Sequence, residues 1–356
     1  MKLHFHTSKL FSAVSAIGLS SLLVLSAGCN KEKKINLEPR QDCIVMEPTE
    51  AVQNQPMTRV MTIANIRVAN PDGSNQIMFC ENAQVLNVEN TAVLNFLRTS
   101  LSNKLKVKVT FDPWKGEVIS AIAPSQSEIN AATKVVYSGK ETAIKIDHSM
   151  NADEIDNAVK FAAVNITATN LVNVIPDMAS AQLMFNYLTT QCCAVPGPYT
   201  VDYCISFQYA HDGCYARAHK MCDIINNRYH YDTKKVFSFA NAGSDVLCVQ
   251  AQKWGGCCVN WWYHVVPLVN IKTAAGVKPY VFDPAMFDQP VLLSAWLHAQ
   301  ENPACIWGNP NVSMINIQPT MMYSPADYSG YFFDTDPGYA STNATLIAYA
   351  GLVTCP

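Results

Sequence analysis

The stretch from His211 to Asn226, which begins "HDGCYARAHKM", is the feature that most constrains the fold. Asp212 and Gly213 are residues typical of turns and helix caps, and no Gly or Pro follows them before Asn226. The pattern therefore predicts a helix that begins at Cys214, with Asp212 as a capping residue. Apolar side chains then recur at helical spacing and predict a face that packs against a core: Cys214, Ala218, Met221, Cys222 and Ile225.

A cysteine at the buried N-terminal end of a helix is suited to nucleophilic chemistry. Unpaired amide groups and the helix dipole at this end favour the thiolate, which is the form that attacks carbonyl carbons. The alternative is a structural disulfide, because the chain contains 13 cysteines. Further residues are needed to decide between the two interpretations of Cys214.

Composition and charge exclude several classes of protein. The 356 residues are 49% hydrophobic and 15% charged, which allows a substantial core in one large domain or two smaller ones. The net charge is -3 and no block of five like charges occurs, which argues against nucleic acid as a partner. We also expect no cofactor, since no phosphate-binding loop is evident.

The N-terminal residues 1–28 are interpreted as a signal peptide. Lys2 and Lys9 flank a polar region, and an apolar stretch from Leu10 to Leu25 follows. The stretch "LSAGC" resembles a bacterial lipobox and would make Cys29 a lipidated membrane anchor. Ordinary cleavage with Cys29 unmodified is the alternative. Either way, we expect export, and no later apolar run approaches the ~18 residues needed to span a bilayer.

The remaining cysteines predict disulfides. Removing Cys29 and Cys214 from the 13 cysteines leaves eleven, so at least one stays free. Cys192 or Cys193 paired with Cys204 would close a short loop. The adjacent cysteines at 192–193 and 257–258 are expected to form disulfides with different partners rather than a metal site, because nearby histidines lack zinc-ligand spacing.

The pattern along the chain divides it into five segments. After the signal peptide, residues 29–58 are a polar tether, and residues 59–135 predict a small α+β domain with strands in 59–69 and 75–88, a helix at 90–103 and a hairpin around "DPWKG". Residues 136–170 are interpreted as a connecting segment, and residues 171–356 contain the predicted cysteine helix. A helix is also predicted at 180–191.

A β-hairpin is predicted after the cysteine helix. The stretches 256–271 and 279–287 are rich in β-branched and aromatic residues, and a Gly-containing loop separates them. The two paired strands would carry His264 and Asp283. In a hairpin closed near residue 275, both side chains lie within two or three positions of register and can meet on one face.

Cys214, His264 and Asp283 together suit a cysteine hydrolase. The thiolate attacks, the imidazole takes and returns a proton, and the carboxylate fixes the imidazole tautomer. A helix carrying Cys and an antiparallel sheet carrying His and Asp is the layout of papain-like and transglutaminase-like hydrolases. The predicted fold class is therefore α+β, with such a catalytic domain preceded by a small α+β domain.

Four stretches carry a resemblance to the bacterial protein-glutaminases. "DGCYARAHKM" at 212–221 is the most specific of them, and the others agree with it: "CCVNWWYHVVPLV" at 257–269, "VFDPAMF" at 281–287 and "LVNVIPDMASAQLMFNYL" at 171–188. The resemblance covers residues 171–356 and implies that they form the catalytic domain. A weaker similarity to the propeptide of that family lies at 96–128 and implies that the small α+β domain at 59–135 is pro-like.

The resemblance implies deamidation of glutamine side chains in proteins and peptides, with release of ammonia. It implies Cys214 as the nucleophile, His264 as general base and acid, and Asp283 as the orienting residue. It also implies two partners: protein substrates with exposed Gln, and an intramolecular N-terminal segment that covers the site.

Other functions remain open from the sequence. The same three residues suit transglutaminase-type amine transfer or peptide-bond cleavage, and a lipoprotein that kept the fold could bind a surface without catalysis. A disulfide from Cys214 to Cys222 or Cys257 would exclude catalysis. We interpret His219 as a surface or packing residue, and Trp261, Trp262 and Tyr263 either as a wall of the site or as an ordinary buried strand.

Overall fold

A computed structural model of the chain describes residues 55–68, 73–147, 149–164, 171–190, 205–240, 245–305 and 309–355. Seven α-helices and seventeen β-strands lie within these ranges. The predicted α+β class is therefore confirmed. No helix in these ranges is long and apolar enough to cross a membrane. The predicted signal peptide, Cys29 and the cysteines at 192, 193 and 204 lie outside the described residues.

The elements before residue 135 match the predicted strands, helix and hairpin. They are β1 (Met57–Val68), β2 (Asn75–Phe79), β3 (Asn82–Val88), α1 (Thr91–Ser102), β4 (Lys106–Asp112), β5 (Glu117–Ile122) and α2 (Gln126–Ala132). Helix α1 begins where the Asn90 side chain accepts hydrogen bonds from the amides of Ala92 and Val93. Buried residues alternate along β4, so one face of the sheet packs on α1 and forms a core.

The segment 136–170 contributes regular structure rather than a bare connection. It contains β6 (Val136–Ser138), a 3-10 turn (Lys140–Thr142), β7 (Ala143–Lys145) and α3 (Ala152–Val164).

The elements from residue 171 onward form the larger part of the fold. They are α4 (Met178–Thr190), α5 (Cys214–Tyr229), β8 (Lys234–Phe239), β9 (Asp245–Gln250), a 3-10 turn (Gln252–Trp254), β10 (Cys258–Trp261), β11 (Tyr263–Thr273), β12 (Gly276–Val281), β13 (Val291–Leu292), α6 (Leu293–Ala299), β14 (Asn309–Pro310), β15 (Met314–Gln318), β16 (Met322–Pro325), β17 (Phe332–Thr335) and α7 (Ala340–Tyr349).

Three sheets organise these strands. The first has the order β14-β9-β10-β3-β2-β1-β4-β5, the second β13-β12-β11-β8-β15-β7, and the third β16-β17-β6. Strands β3 and β10 meet at a single pair, Gln84 with Trp261, so the N-terminal strands continue a sheet begun by later ones. Strands β6 and β7 each pair with strands from beyond residue 310.

The predicted hairpin is formed by β11 and β12, which pair from Leu268 with Val281 to Thr273 with Gly276. The prediction that Asp283 lies on the second strand is wrong, because β12 ends at Val281. Pro284 has no amide hydrogen to continue the ladder, and the Asp283 carbonyl accepts from the amides of Met286 and Phe287 in a turn. Asp283 therefore stands at the start of that turn.

Two disulfides confirm that the adjacent cysteines at 257–258 have different partners. Cys257 is bonded to Cys355, and Cys258 to Cys305. The free cysteines of the described ranges are Cys80, Cys214, Cys222 and Cys248, all of them buried. Cys214 thus has neither of the disulfides that would exclude catalysis.

Candidate active site

Helix α5 begins at Cys214, as predicted. Its N-cap is Gly213, whose φ of 85° lies in the left-handed region that favours glycine. A Cβ atom at Gly213 would lie 3.0 Å from the Tyr349 ring, so the turn also needs the space that glycine leaves. The prediction of Asp212 as a cap is wrong, because its carboxylate accepts from the Ala83 amide and the Tyr215 hydroxyl rather than from an amide of the first helical turn.

The Cys214 thiol is buried beside strand β11. It interacts with the backbone amide of Val265, the residue that follows His264. Burial raises the pKa of the thiol well above its usual range, although the Arg217 guanidinium opposes this shift. Burial thus favours the thiol over the thiolate, which is the more nucleophilic form of a cysteine.

His264 and Asp283 form a buried hydrogen-bonded pair. The His264 Nε2 atom lies 2.8 Å from Asp283 Oδ2, and Trp296 Nε1 donates to the same oxygen at 3.1 Å. The Trp261 ring stacks on the imidazole with centroids 4.2 Å apart and planes inclined by 11°. These contacts fix the position and the plane of the ring.

The two imidazole nitrogens of His264 differ in their contacts. Nε2 is held by Asp283. Nδ1 is buried and has no hydrogen-bond partner within the described ranges. Trp296, which the sequence analysis missed, has no sequence signal that would have marked it as the partner of Asp283.

A turn from the N-terminal part covers this region. The Trp262 amide donates to the Ala83 carbonyl at 3.0 Å, its indole donates to the Asn82 carbonyl at 2.8 Å, and the Tyr263 hydroxyl donates to the Cys80 carbonyl at 3.3 Å. The three residues of the Trp-Trp-Tyr run are buried, as the interpretation of an ordinary buried strand requires, and Trp261 also stacks on His264.

Arg59 on β1 reaches into the same region. Its Nη1 donates to the hydroxyls of Tyr215 and Tyr349, each at 2.9 Å, and lies 3.4 Å from Asp212 Oδ2. Its Nη2 donates to Thr345 Oγ1 at 2.8 Å. Burial disfavours the charged guanidinium, but these neighbours outweigh it and hold the Arg59 pKa well above its usual range.

His219 is a buried packing residue, as one of the two interpretations held. Its Nδ1 atom lies 2.8 Å from Lys235 Nζ, and its ring contacts those of Tyr323 and Tyr339. Burial and the Lys235 charge lower the pKa of His219 to about 2, and burial lowers that of Lys235 to about 8. The pair therefore packs between α5 and β8 inside the protein.

One cluster in the described ranges has the donor atoms for a metal ion. The sulfurs of Cys248, Cys258 and Cys305 lie within 4.8 Å of one another. Two of them share a disulfide, which leaves only the Cys248 thiol as a potential ligand. In this state the cluster does not suit a metal.

Comparisons with known proteins agree with the sequence resemblance. The family described as Glutaminase matches residues 181–300. The crystal structure of pro-protein-glutaminase is 25% identical with a TM-score of 0.58, and the match covers 85% of this chain and 95% of that one. No curated protein matches the chain.

Two further solved structures are more similar in sequence. A crystal structure of protein-glutaminase is 32% identical over 52% of this chain and 93% of its own, with a TM-score of 0.43. The NMR structure of protein-glutaminase from Chryseobacterium proteolyticum is 35% identical over the same shares, with a TM-score of 0.44. With this identity over nearly the whole of those proteins, the chain belongs to the protein-glutaminase family.

Proposed function

We propose that the protein deamidates glutamine side chains of proteins and peptides to glutamate and releases ammonia. Cys214 is the nucleophile, His264 the general base and acid, and Asp283 the residue that orients His264. The single observation that carries this proposal is the buried His264–Asp283 hydrogen bond of 2.8 Å beside a thiol at the start of a helix. Membership of the protein-glutaminase family supplies the substrate class.

The first half of the reaction forms a thioester. His264 takes the proton of Cys214, and the thiolate adds to the carboxamide carbon of glutamine. The negative charge that develops on the carboxamide oxygen needs amide donors, and the backbone N–H of Cys214 at the helix end is one of them. His264 then gives its proton to the departing nitrogen, so that ammonia leaves and a γ-glutamyl thioester remains.

The second half consumes water. His264 takes a proton from a water molecule, whose oxygen adds to the thioester carbon. Collapse of this intermediate expels the Cys214 sulfur, which recovers a proton, and releases the glutamate side chain. Asp283 accepts from His264 Nε2 throughout and stabilises the imidazolium, while Trp261 and Trp296 keep the ring in place.

The full chain is a latent form in this proposal. Residues 59–135 act as an inhibitory segment over a catalytic domain at 171–356, after a signal peptide at 1–28 and a tether that carries Cys29. Hydrogen bonds from Trp262 and Tyr263 to the turn at 80–83 support this assignment. The raised pKa of Cys214 supports it as well, since a covered thiol stays protonated. Removal of the cover would admit water and lower that pKa.

The test measures ammonia released from a blocked Gln peptide. The full chain is folded, cut by limited proteolysis and assayed beside Cys214→Ala, with Cys222→Ala as the matched control. Cys222 is a second buried free thiol on the same helix. We expect ammonia from the wild type and from Cys222→Ala, and none from Cys214→Ala.

Mass spectrometry of the peptide separates the alternative reactions. Conversion of the amide to an acid without chain cleavage supports deamidation. Peptide fragments would instead indicate a peptidase, and incorporation of an added primary amine would indicate transglutaminase chemistry. A folded, processed chain with a free Cys214 thiol that gives none of these products would favour the non-catalytic binding role.

A further inference from the structure

We propose that a polar pocket next to the nucleophile is a subsite for a cationic side chain, arginine above all, that lies near the target glutamine of the substrate. The pocket, called here the Asp212 pocket, is formed by Asp212, Tyr215, Thr345 and Tyr349. Arg59 of the N-terminal segment occupies it in the latent form. The inference rests on the proposed function and names a feature of its substrates.

The centre of the pocket is a fully buried carboxylate with donors from two parts of the chain. The hydroxyls of Tyr215 and Tyr349 lie within hydrogen-bonding distance of Asp212 Oδ2. The other two donors belong to the N-terminal segment: the Ala83 amide, 2.8 Å from Oδ1, and the Arg59 guanidinium, 3.4 Å from Oδ2. Half of the partners of this carboxylate would therefore leave with the cover.

Arg217, a cation on helix α5, does not pair with the Asp212 carboxylate. Arg217 Nη1 donates to the backbone carbonyls of Tyr209 and Asp212 at 2.9 and 3.0 Å, so it bonds to the main chain rather than to the Asp212 carboxylate. A buried carboxylate that loses its charged partner is strongly unfavourable. Once the cover has left, the pocket favours a new cation, and the open Oδ1 favours a peptide amide.

The shape of the pocket fits a guanidinium better than an ammonium group. Arg59 uses Nη1 toward the two tyrosine hydroxyls and Nη2 toward Thr345 Oγ1 at 2.8 Å, so acceptors lie on both arms of the planar fork. The guanidinium carbon also lies 5.6 Å from the centre of the Tyr349 ring. A lysine ammonium is a compact charge that cannot span both sides.

The pocket lies close enough to the nucleophile to act on the same substrate. Asp212 precedes Cys214 by two residues, and its charge contributes to the raised pKa of the thiol. The Ala83 amide donates to the Asp212 carboxylate, and the Ala83 carbonyl accepts from the Trp262 amide. The backbone of the covering segment therefore lies between Asp212 and Trp262. An extended substrate at this edge would present one side chain to the Asp212 pocket.

The experiment compares matched substrates of the processed chain. Blocked peptides contain one Gln and, at each neighbouring position in turn, arginine, its neutral isostere citrulline, lysine or glutamate. We expect kcat/KM for the best arginine peptide to exceed that for its citrulline counterpart about tenfold or more, mainly through KM, with lysine between them. Asp212→Asn should bring this ratio close to one.

Matched variants keep the result interpretable. Asp223→Asn on the same helix, whose carboxylate bonds Asn227, should keep the arginine preference. If Asp212→Asn does not fold, Thr345→Ala should still reduce the ratio of arginine to citrulline. Equal rates for arginine and citrulline peptides at every position in the wild type would overturn the inference and leave the proposed function intact. Ammonia from none of the peptides would overturn the proposed function instead.

Discussion

Replacing Arg59 by Met should loosen the covering segment measurably. Arg59 bonds to two tyrosine hydroxyls and Thr345 and pairs with Asp212, whose side chain is fully buried, while the Arg59 side chain keeps 20% of its surface exposed. Removing one partner of a buried ion pair costs about 3–5 kcal/mol, and partial exposure of Arg59 lowers this to about 2–3 kcal/mol. Met keeps the apolar stem, so the loss reports the charge and its hydrogen bonds.

The assay is urea unfolding of the full chain, with Arg98→Met as the matched control. Arg98 lies on α1 of the same segment and makes an exposed hydrogen bond to Asn75 at 3.1 Å, so its loss should change the free energy of unfolding by less than about 0.5 kcal/mol. The double variant Arg59→Met/Asp212→Asn should lose less free energy of unfolding than the two single variants lose together, by at least about 1 kcal/mol. Equal stability of the two Met variants, or simple additivity in the cycle, would refute the reasoning.

Three further predictions concern the helix and the site. Gly213→Ala should lower the free energy of unfolding by about 2 kcal/mol or more, because φ is positive and the added methyl meets Tyr349; a thermal melt of the full chain checks this. Asp283→Asn should reduce kcat of the processed chain by about 10²–10⁴ with little change in KM, since the charge that steadies protonated His264 is lost; retention of full kcat would contradict the assigned role. The pKa of His219 is depressed to about 2 in the folded chain, whereas it is about 6.5 in the unfolded chain. As the pH falls below about 6.5, the unfolded chain binds this proton and the folded chain does not, so the free energy of unfolding decreases by up to about 1.4 kcal/mol per pH unit. His219→Gln should flatten that acid slope in urea unfolding, and an unchanged slope would assign it to other groups.

Local patterns predicted the elements on which the site stands. The helix that begins at Cys214 followed from its flanking Gly and its uninterrupted helical run, and the β11–β12 hairpin followed from strand composition and a short loop. The register of that hairpin brought His264 and Asp283 together even though Asp283 falls in the turn beyond β12. The error is small because the chain continues in the direction of the strand before it turns.

The partners of the site residues had no such local signal. Trp296 bonds to Asp283 from a separate helix, and Asp212 meets Arg59 across 153 residues of sequence. An acidic residue before a helix has the same appearance in sequence whether it caps the helix or turns toward a distant cation. The capping interpretation of Asp212 failed for this reason.

The sequence by itself determined the α+β class, the helix head at Cys214, the hairpin that carries His264, and the family to which the chain belongs. These depend on periodicity, turn residues and motifs within a few dozen positions. Only the tertiary structure decided that Arg59 enters the Asp212 pocket and that the Cys214 thiol is buried, which raises its pKa. Burial and charge pairing depend on which distant segments pack together, because desolvation and electrostatic interactions act through space rather than along the chain.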